Sequence, residues 1–110
     1  VYCRMEERYN PDGLPSFFVG DLNAGPDSEA SGIFRKHWND AFLSVDASAR
    51  RGLLNTYNDY RFPSGCERID YIYYRGKGID VVSYGCDGSL YDGKYASDHF
   101  PIMADIKITR

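Results

Sequence analysis

No run of eighteen apolar residues occurs anywhere in the 110-residue chain, so no segment has the length and character of a membrane-spanning helix. Basic excess is also missing: 13 Lys and Arg against 16 Asp and Glu give a formal charge of -3. That excludes a global field of the kind that draws proteins onto phosphate backbones, although a local basic groove or a bound cation can still serve a phosphorylated ligand. Cysteines are few and far apart (Cys3, Cys66 and Cys86), without the close pairs of a zinc site. They read as free thiols, with a Cys66–Cys86 bridge as the alternative. There is no internal repeat and no low-complexity tract. What is present is 43% hydrophobic residues and ten tyrosines, an aromatic richness that disordered chains lack. One packed domain, or part of one, is the expectation.

Residues 1–9 carry Val1, Met5 and Tyr9 at four-residue spacing and read as a helix without a preceding cap. Asn10-Pro-Asp-Gly13 is a turn signal. Ser16-Phe-Phe-Val19 is a short apolar run of the type buried on both faces, and it is predicted to stop at Gly20. Pro26-Asp-Ser-Glu29 supplies capping groups ahead of a helix running to about Trp38, with Ala30, Ile33, Phe34 and His37 or Trp38 on its apolar face. From Asn39 to Gly65 periodicity is weak and predicts irregular chain with one short strand near Leu54. Arg68–Tyr74 and Ile79–Tyr84 flank Arg75-Gly-Lys-Gly78 and read as a hairpin. Phe100, Ile102, Ala104, Ile106 and Ile108 alternate with polar positions and form a half-buried last strand.

Three polar groups sit at the edges of these strands. In Gly20-Asp21-Leu22-Asn23, an extended backbone would project Asp21 and Asn23 to one side, an acid to handle a water and an amide to donate to a developing oxyanion. The competing reading is an Asx turn ahead of the helix. Asp70 lies within the apolar Arg68-Ile-Asp-Tyr-Ile72 and needs a partner if buried. That partner is either Arg68, two residues away on the same face, or a histidine from elsewhere. In Ser97-Asp98-His99-Phe-Pro101 a loop placement lets Asp98 and His99 converge, as a hard-cation ligand and a phosphate-oxygen donor. His37 beside Trp38 reads as a packing or surface residue.

In this order the three groups resemble the endonuclease/exonuclease/phosphatase family, the deoxyribonuclease I-like hydrolases. The resemblance implies an α+β fold, the C-terminal half of a four-layer α/β/β/α sandwich of mostly antiparallel sheet, with the family's N-terminal half absent. It implies metal-dependent hydrolysis of a phosphate ester, using Mg²⁺ or Mn²⁺. Asp21 would position the attacking water, and Asn23 would contact phosphoryl oxygens. Asp70 would pair with His99, His99 would bind phosphate, and Asp98 would be the metal-linked carboxylate. Glu6 and Glu7, on the first helix, do not replace the upstream glutamate that family members use. The implied partner is a phosphorylated substrate, whether nucleic acid, phospholipid or inositol phosphate, with the acidic balance leaning away from plain duplex DNA. By itself such a half would be weakly active or inactive and would expose an apolar sheet face, favouring self-association or a need for the other half. The alternative function is a non-catalytic binding or scaffold module.

Overall fold

The computed structural model describes residues 7–61 and 67–109. Among the described residues six strands form two three-stranded sheets. The first has the order β1 (Ser16–Asp21), β4 (Asp70–Arg75), β2 (Asn39–Asp40), all antiparallel; the second has the order β3 (Arg50–Gly52), β5 (Ile79–Cys86), β6 (Ile102–Ile108), with β3 parallel and β6 antiparallel to β5. Helix α1 (Glu29–His37) packs on the outer face of the first sheet, and the short α2 (Ala41–Ser44) and a 3-10 turn (Ala47–Ala49) lead into β3. Among the described residues no helix is long and apolar enough to cross a membrane.

Alternation along β4 divides its side chains between two cores. Tyr71 and Tyr73 point toward α1 and bury against Trp38, Phe34 and Leu22. The rings stack in series, Tyr71 to Tyr73 at 5.2 Å and Tyr73 to Phe34 at 4.8 Å between centroids. Ile72 and Tyr74 point the other way, into an inter-sheet core with Ala41, Val45, Val81 and Tyr84. Asp70 shares that inner side by the period of two. The helix begins where its sequence says it should: Ser28 caps Ser31 N–H, and Arg35, Lys36 and His37 fill the last turn, where cations suit the dipole.

Several expectations change. Ser31 and the capping Trp38 are buried and Phe34 is half-buried, while Ala30 and Ile33 lie outside; Ser31 Oγ lies 2.8 Å from Gly25 O and 3.2 Å from Tyr71 Oη, which turns this face of the helix to the tyrosines. Strand β1 continues through Gly20, whose φ of +149° is open to glycine, and ends at Asp21. It is an edge strand rather than one buried on both faces, and Val19 is 64% exposed. The predicted hairpin does not form: β1 and β2 occupy both edges of β4, so Gly76–Gly78 carries the chain into the other sheet. The strand expected near Leu54 lies at Arg50–Gly52, and Asn39–Asp40 adds a second in that stretch. β6 follows its alternation as far as Lys107, with Ile102, Ala104 and Ile106 half-buried and Met103, Asp105 and Lys107 exposed, whereas Ile108, expected on the half-buried face, is exposed at the strand end. Of the first predicted helix, residues 7–9 are helical and the rest lies outside the described residues, as do Cys3 and Cys66. Cys86 is a free, buried thiol.

Candidate active site

The antiparallel register sets Asp21 of β1 directly opposite Asp70 of β4. Residues paired across a ladder project to the same face, so two carboxylates share the inter-sheet side at the end of the first sheet. The loop before β6 brings His99 between them. Its Nδ1 lies 2.8 Å from Asp70 Oδ2 and its Nε2 lies 3.7 Å from Asp21 Oδ2. Asp70 is the more enclosed of the two acids, and Asp21 stands at the mouth. The Asp70 hydrogen bond is the largest influence on His99 and raises its pKa above the ordinary value; burial opposes it, and the charges of Asp70, Asp21 and Asp98 add to the rise. A carboxylate accepting from Nδ1–H leaves Nε2 as the atom that faces outward.

Arg68, the other candidate partner for Asp70, is engaged elsewhere. Its guanidinium pairs with Asp40 at 2.8 Å in a site where the two side chains are 6% and 1% exposed, and it lies over the rings of Phe42 (4.3 Å) and Tyr71 (4.8 Å). Asp40 comes from β2, whose pairing with β4 places it within reach of this arginine. The carboxylate of Asp70 is thereby left to His99.

Beyond Asp21, the last residue of β1, the backbone does not stay extended. Asn23 has φ +52°, and its N–H donates to Asp21 Oδ1 at 2.7 Å, the Asx turn that was the competing reading. The turn holds Asp21 with Oδ2 toward His99. The side chain of Asn23 is exposed and hydrogen-bonds to none of the described residues. Asp98 also stands outside the closest grouping: Asp21, Asp70 and His99 offer ligand atoms all within 4.8 Å of one another, a group able to hold a metal ion, and Asp98 is not among them. Its carboxylate takes a long 3.5 Å hydrogen bond from Ser97 Oγ and acts on His99 through its charge. His37 is exposed in the last turn of α1.

The support beneath this group comes from a segment whose sequence shows no period. Thr56, fully buried, accepts from Ile69 N–H and Asp70 N–H through Oγ1 at 2.9 and 3.1 Å, and its carbonyl accepts from Phe100 N–H at 2.7 Å. Asn58, equally buried, donates from its side chain to Ser97 O at 2.9 Å and from its backbone to Asp98 O at 2.7 Å. Tyr57 sets its ring edge-on to His99 at 5.2 Å. Thr56 and Asn58 thus tie the start of β4 to the histidine loop. Neither was singled out by sequence; the available signal was two small polar residues of hydrogen-bonding type in a stretch flanking Arg68–Ile72.

Among solved structures, a functionally unknown conserved protein from Enterococcus faecalis V583 is similar over 96% of this chain and 41% of its own, at 28% identity and TM-score 0.79. An endonuclease/exonuclease/phosphatase from Bacteroides vulgatus is similar over 98% and 41%, at 25% identity and TM-score 0.82. A mannosyl-6-phosphatase from Bacteroides thetaiotaomicron, at 24% identity and TM-score 0.72, shares the fold over 96% and 42%. This chain therefore spans about two-fifths of the length of these structures. No curated protein matches it. The α+β architecture is that of the deoxyribonuclease I-like neighbours, of which it covers part. The model of the Endonuclease/Exonuclease/phosphatase family matches residues 6–99, which is most of the sequence, and the chain belongs to that family.

Proposed function

We propose that the chain carries one side of a hydrolytic site for phosphate esters, with His99 as the group that contacts the phosphoryl oxygens. The observation that carries this reading is the line Asp70, His99, Asp21. One carboxylate is hydrogen-bonded to Nδ1, and another stands 3.7 Å from Nε2. That second distance is too long for a direct hydrogen bond and suits an intervening oxygen. A water placed there receives a hydrogen bond from Nε2–H and donates one to the Asp21 carboxylate, and a phosphoryl oxygen can take its place at Nε2–H.

In this reading Asp70 is a positioning residue, which fixes the ring and favours its charged form. His99 donates to a non-bridging oxygen as negative charge builds on it. Asp21 orients the attacking water and accepts its proton as the new P–O bond forms and the ester P–O bond breaks in line, the departing alkoxide taking a proton from solvent to leave as the alcohol. Asn23, held at the turn, is assigned to a second phosphoryl oxygen. Asp98, whose carboxylate takes one long internal hydrogen bond and so retains lone pairs, would supply one oxygen ligand to Mg²⁺ or Mn²⁺, with phosphate and water oxygens needed for the rest. Bound there with phosphate oxygens, the ion would neutralise phosphoryl charge.

We also infer that the chain is the C-terminal portion of a larger single domain. The length of the similar structures supports it, as does the inner side of β1, where Phe17 and Val19 lie exposed beside Asp21.

The test is turnover of p-nitrophenyl phosphate and bis(p-nitrophenyl) phosphate, with Mg²⁺, by the larger protein of which this chain is inferred to be a portion, read together with NMR of the His99 imidazole during titration with inorganic phosphate. His99→Gln and Asp21→Asn are expected to lower turnover by about 10²- to 10⁴-fold. Phosphate is expected to shift the His99 resonances. An unchanged rate in His99→Gln, or an imidazole indifferent to phosphate, would overturn the reading.

A further inference from the structure

Next to His99 the surface is hollowed into a cavity of about 480 Å³, with Asp87, Ser89, Tyr91 and Tyr95 among its walls and no Lys or Arg among its described lining residues. The loop that builds it is fixed. Tyr91 and Lys94 exchange backbone hydrogen bonds of 2.7 and 3.0 Å across Asp92 and Gly93, both at positive φ, the geometry of a type I′ turn. Asp87 N–H donates to Pro101 O at 3.0 Å, joining the loop to the chain just after His99. Tyr95 sits edge-on to Phe100 at 5.3 Å.

On the side formed by Asp87, Ser89 and Tyr91 the hydrogen-bonding character of the wall is one-sided. Tyr91 Oη donates to Asp87 Oδ2 at 2.9 Å, and Ser89 Oγ donates to Asp87 Oδ1. A hydroxyl has one hydrogen, so both are spent, and each oxygen presents only lone pairs outward. The carboxylate has about four lone-pair positions; Ser89 N–H takes a third, and one remains. These same hydrogen bonds hold the Asp87 carboxyl below the ordinary carboxylate range, so it is ionised near neutrality. The cavity is therefore an acceptor-rich wall between tyrosine rings. It suits a neutral group carrying several O–H donors around an apolar face. It does not suit the phosphates of a nucleic-acid backbone, which need cationic partners.

We propose that this cavity holds the alcohol side of the ester and takes a sugar ring, so that the substrate is a sugar phosphate. The proposal rests on the reading of His99 as the phosphate-contacting group, since that histidine lines both places. The sugar hydroxyls donate to Asp87, Tyr91 Oη and Ser89 Oγ, and its C–H face packs on the tyrosines.

Saturation-transfer NMR and calorimetry on the protein test this, with glucose 6-phosphate, glucose, inorganic phosphate, thymidine 5′-phosphate and phosphocholine as probes. Glucose 6-phosphate should bind at least tenfold more tightly than inorganic phosphate, with saturation on its ring protons. Tyr91→Ala and Asp87→Asn should each remove most of that advantage while leaving inorganic phosphate binding unchanged. Tyr91 is 57% exposed, so its truncation leaves the fold intact. Equal affinity for glucose 6-phosphate and phosphate, or affinity indifferent to Tyr91, would overturn the proposal. So would tighter, Tyr91-dependent binding of thymidine 5′-phosphate or phosphocholine. Tyr91-dependent binding of glucose with no binding of inorganic phosphate would instead overturn the role of His99 and leave the sugar assignment supported.

Discussion

Replacing Arg68 with Met tests the idea that a buried ion pair removes the competing cation from Asp70. The Arg68 and Asp40 side chains are 6% and 1% exposed, and the guanidinium nitrogen stands 2.8 Å from the carboxylate. Neither group can recover its hydration if the other is removed, so the ordinary surface-pair value does not apply. Breaking such a pair costs about 3–5 kcal/mol. Against a total stability of about 5–15 kcal/mol, that is a large fraction. Asp40 has a second duty: its Oδ1 accepts from Phe42 N–H at 3.0 Å and caps α2. Asn keeps an acceptor oxygen there, so Asp40→Asn isolates the charge from the cap. Each single substitution should therefore cost about 3 kcal/mol or more. The double variant should cost no more than either single, giving a coupling of about 3 kcal/mol or more. Urea unfolding followed by tryptophan fluorescence is a suitable readout, because Trp38 lies in the core beside Tyr71 and Tyr73. Singles that add, or an Arg68→Met cost under about 1 kcal/mol, would refute the reasoning, since either result means the pair is not desolvated in solution.

In the active longer protein Asp70→Asn should lower turnover by about 10²-fold or more with the fold retained, and an NMR titration should show the His99 pKa falling toward its ordinary 6.5. Because the folded-state value is raised, the stability gap between the two proteins should be present below pH 6.5 and close as pH rises through the folded His99 pKa. A gap that widens on going alkaline would contradict the pairing. Burial pushes the Cys86 thiol up to about 11, so a disulfide reagent at pH 8 should label it slowly in the native state and rapidly in urea; fast native labelling would place it elsewhere. The 110-residue chain alone should bind Mg²⁺ weakly by calorimetry and turn over little bis(p-nitrophenyl) phosphate, because one carboxylate at Asp98 is a poor site for an ion that keeps most of its waters. Turnover abolished by Asp98→Ala and comparable to longer relatives would show that a complete site is already present.

Local chemistry was legible in the sequence wherever one element suffices to state the rule. Ser28 and Glu29 mark the start of α1, because a cap and a first-turn acid act on the nearest N–H groups. The alternation from Ile102 to Ile108 marks β6, because a period of two belongs to the strand itself. The three polar groups around Asp21, Asp70 and His99 were equally legible as candidates for one place. Strand partners were not. The turn after Arg75 looks like a hairpin connection, yet both edges of β4 are filled by β1 and β2, and edge occupancy is not written near the turn.

The partner of Asp70 was likewise undecidable along the chain, with Arg68 two residues away and His99 twenty-nine. Asp40, brought alongside by β2, decides it by taking the arginine into a dry site. Thr56 and Asn58 went unnoticed because side chains that fasten backbone groups of distant segments leave no periodic trace. Sequence alone therefore determined which residue types the site could draw on and which elements carry them. The tertiary structure decided how they pair, because a desolvated charge or a buried amide is satisfied only by whatever the fold brings within about 3 Å of it.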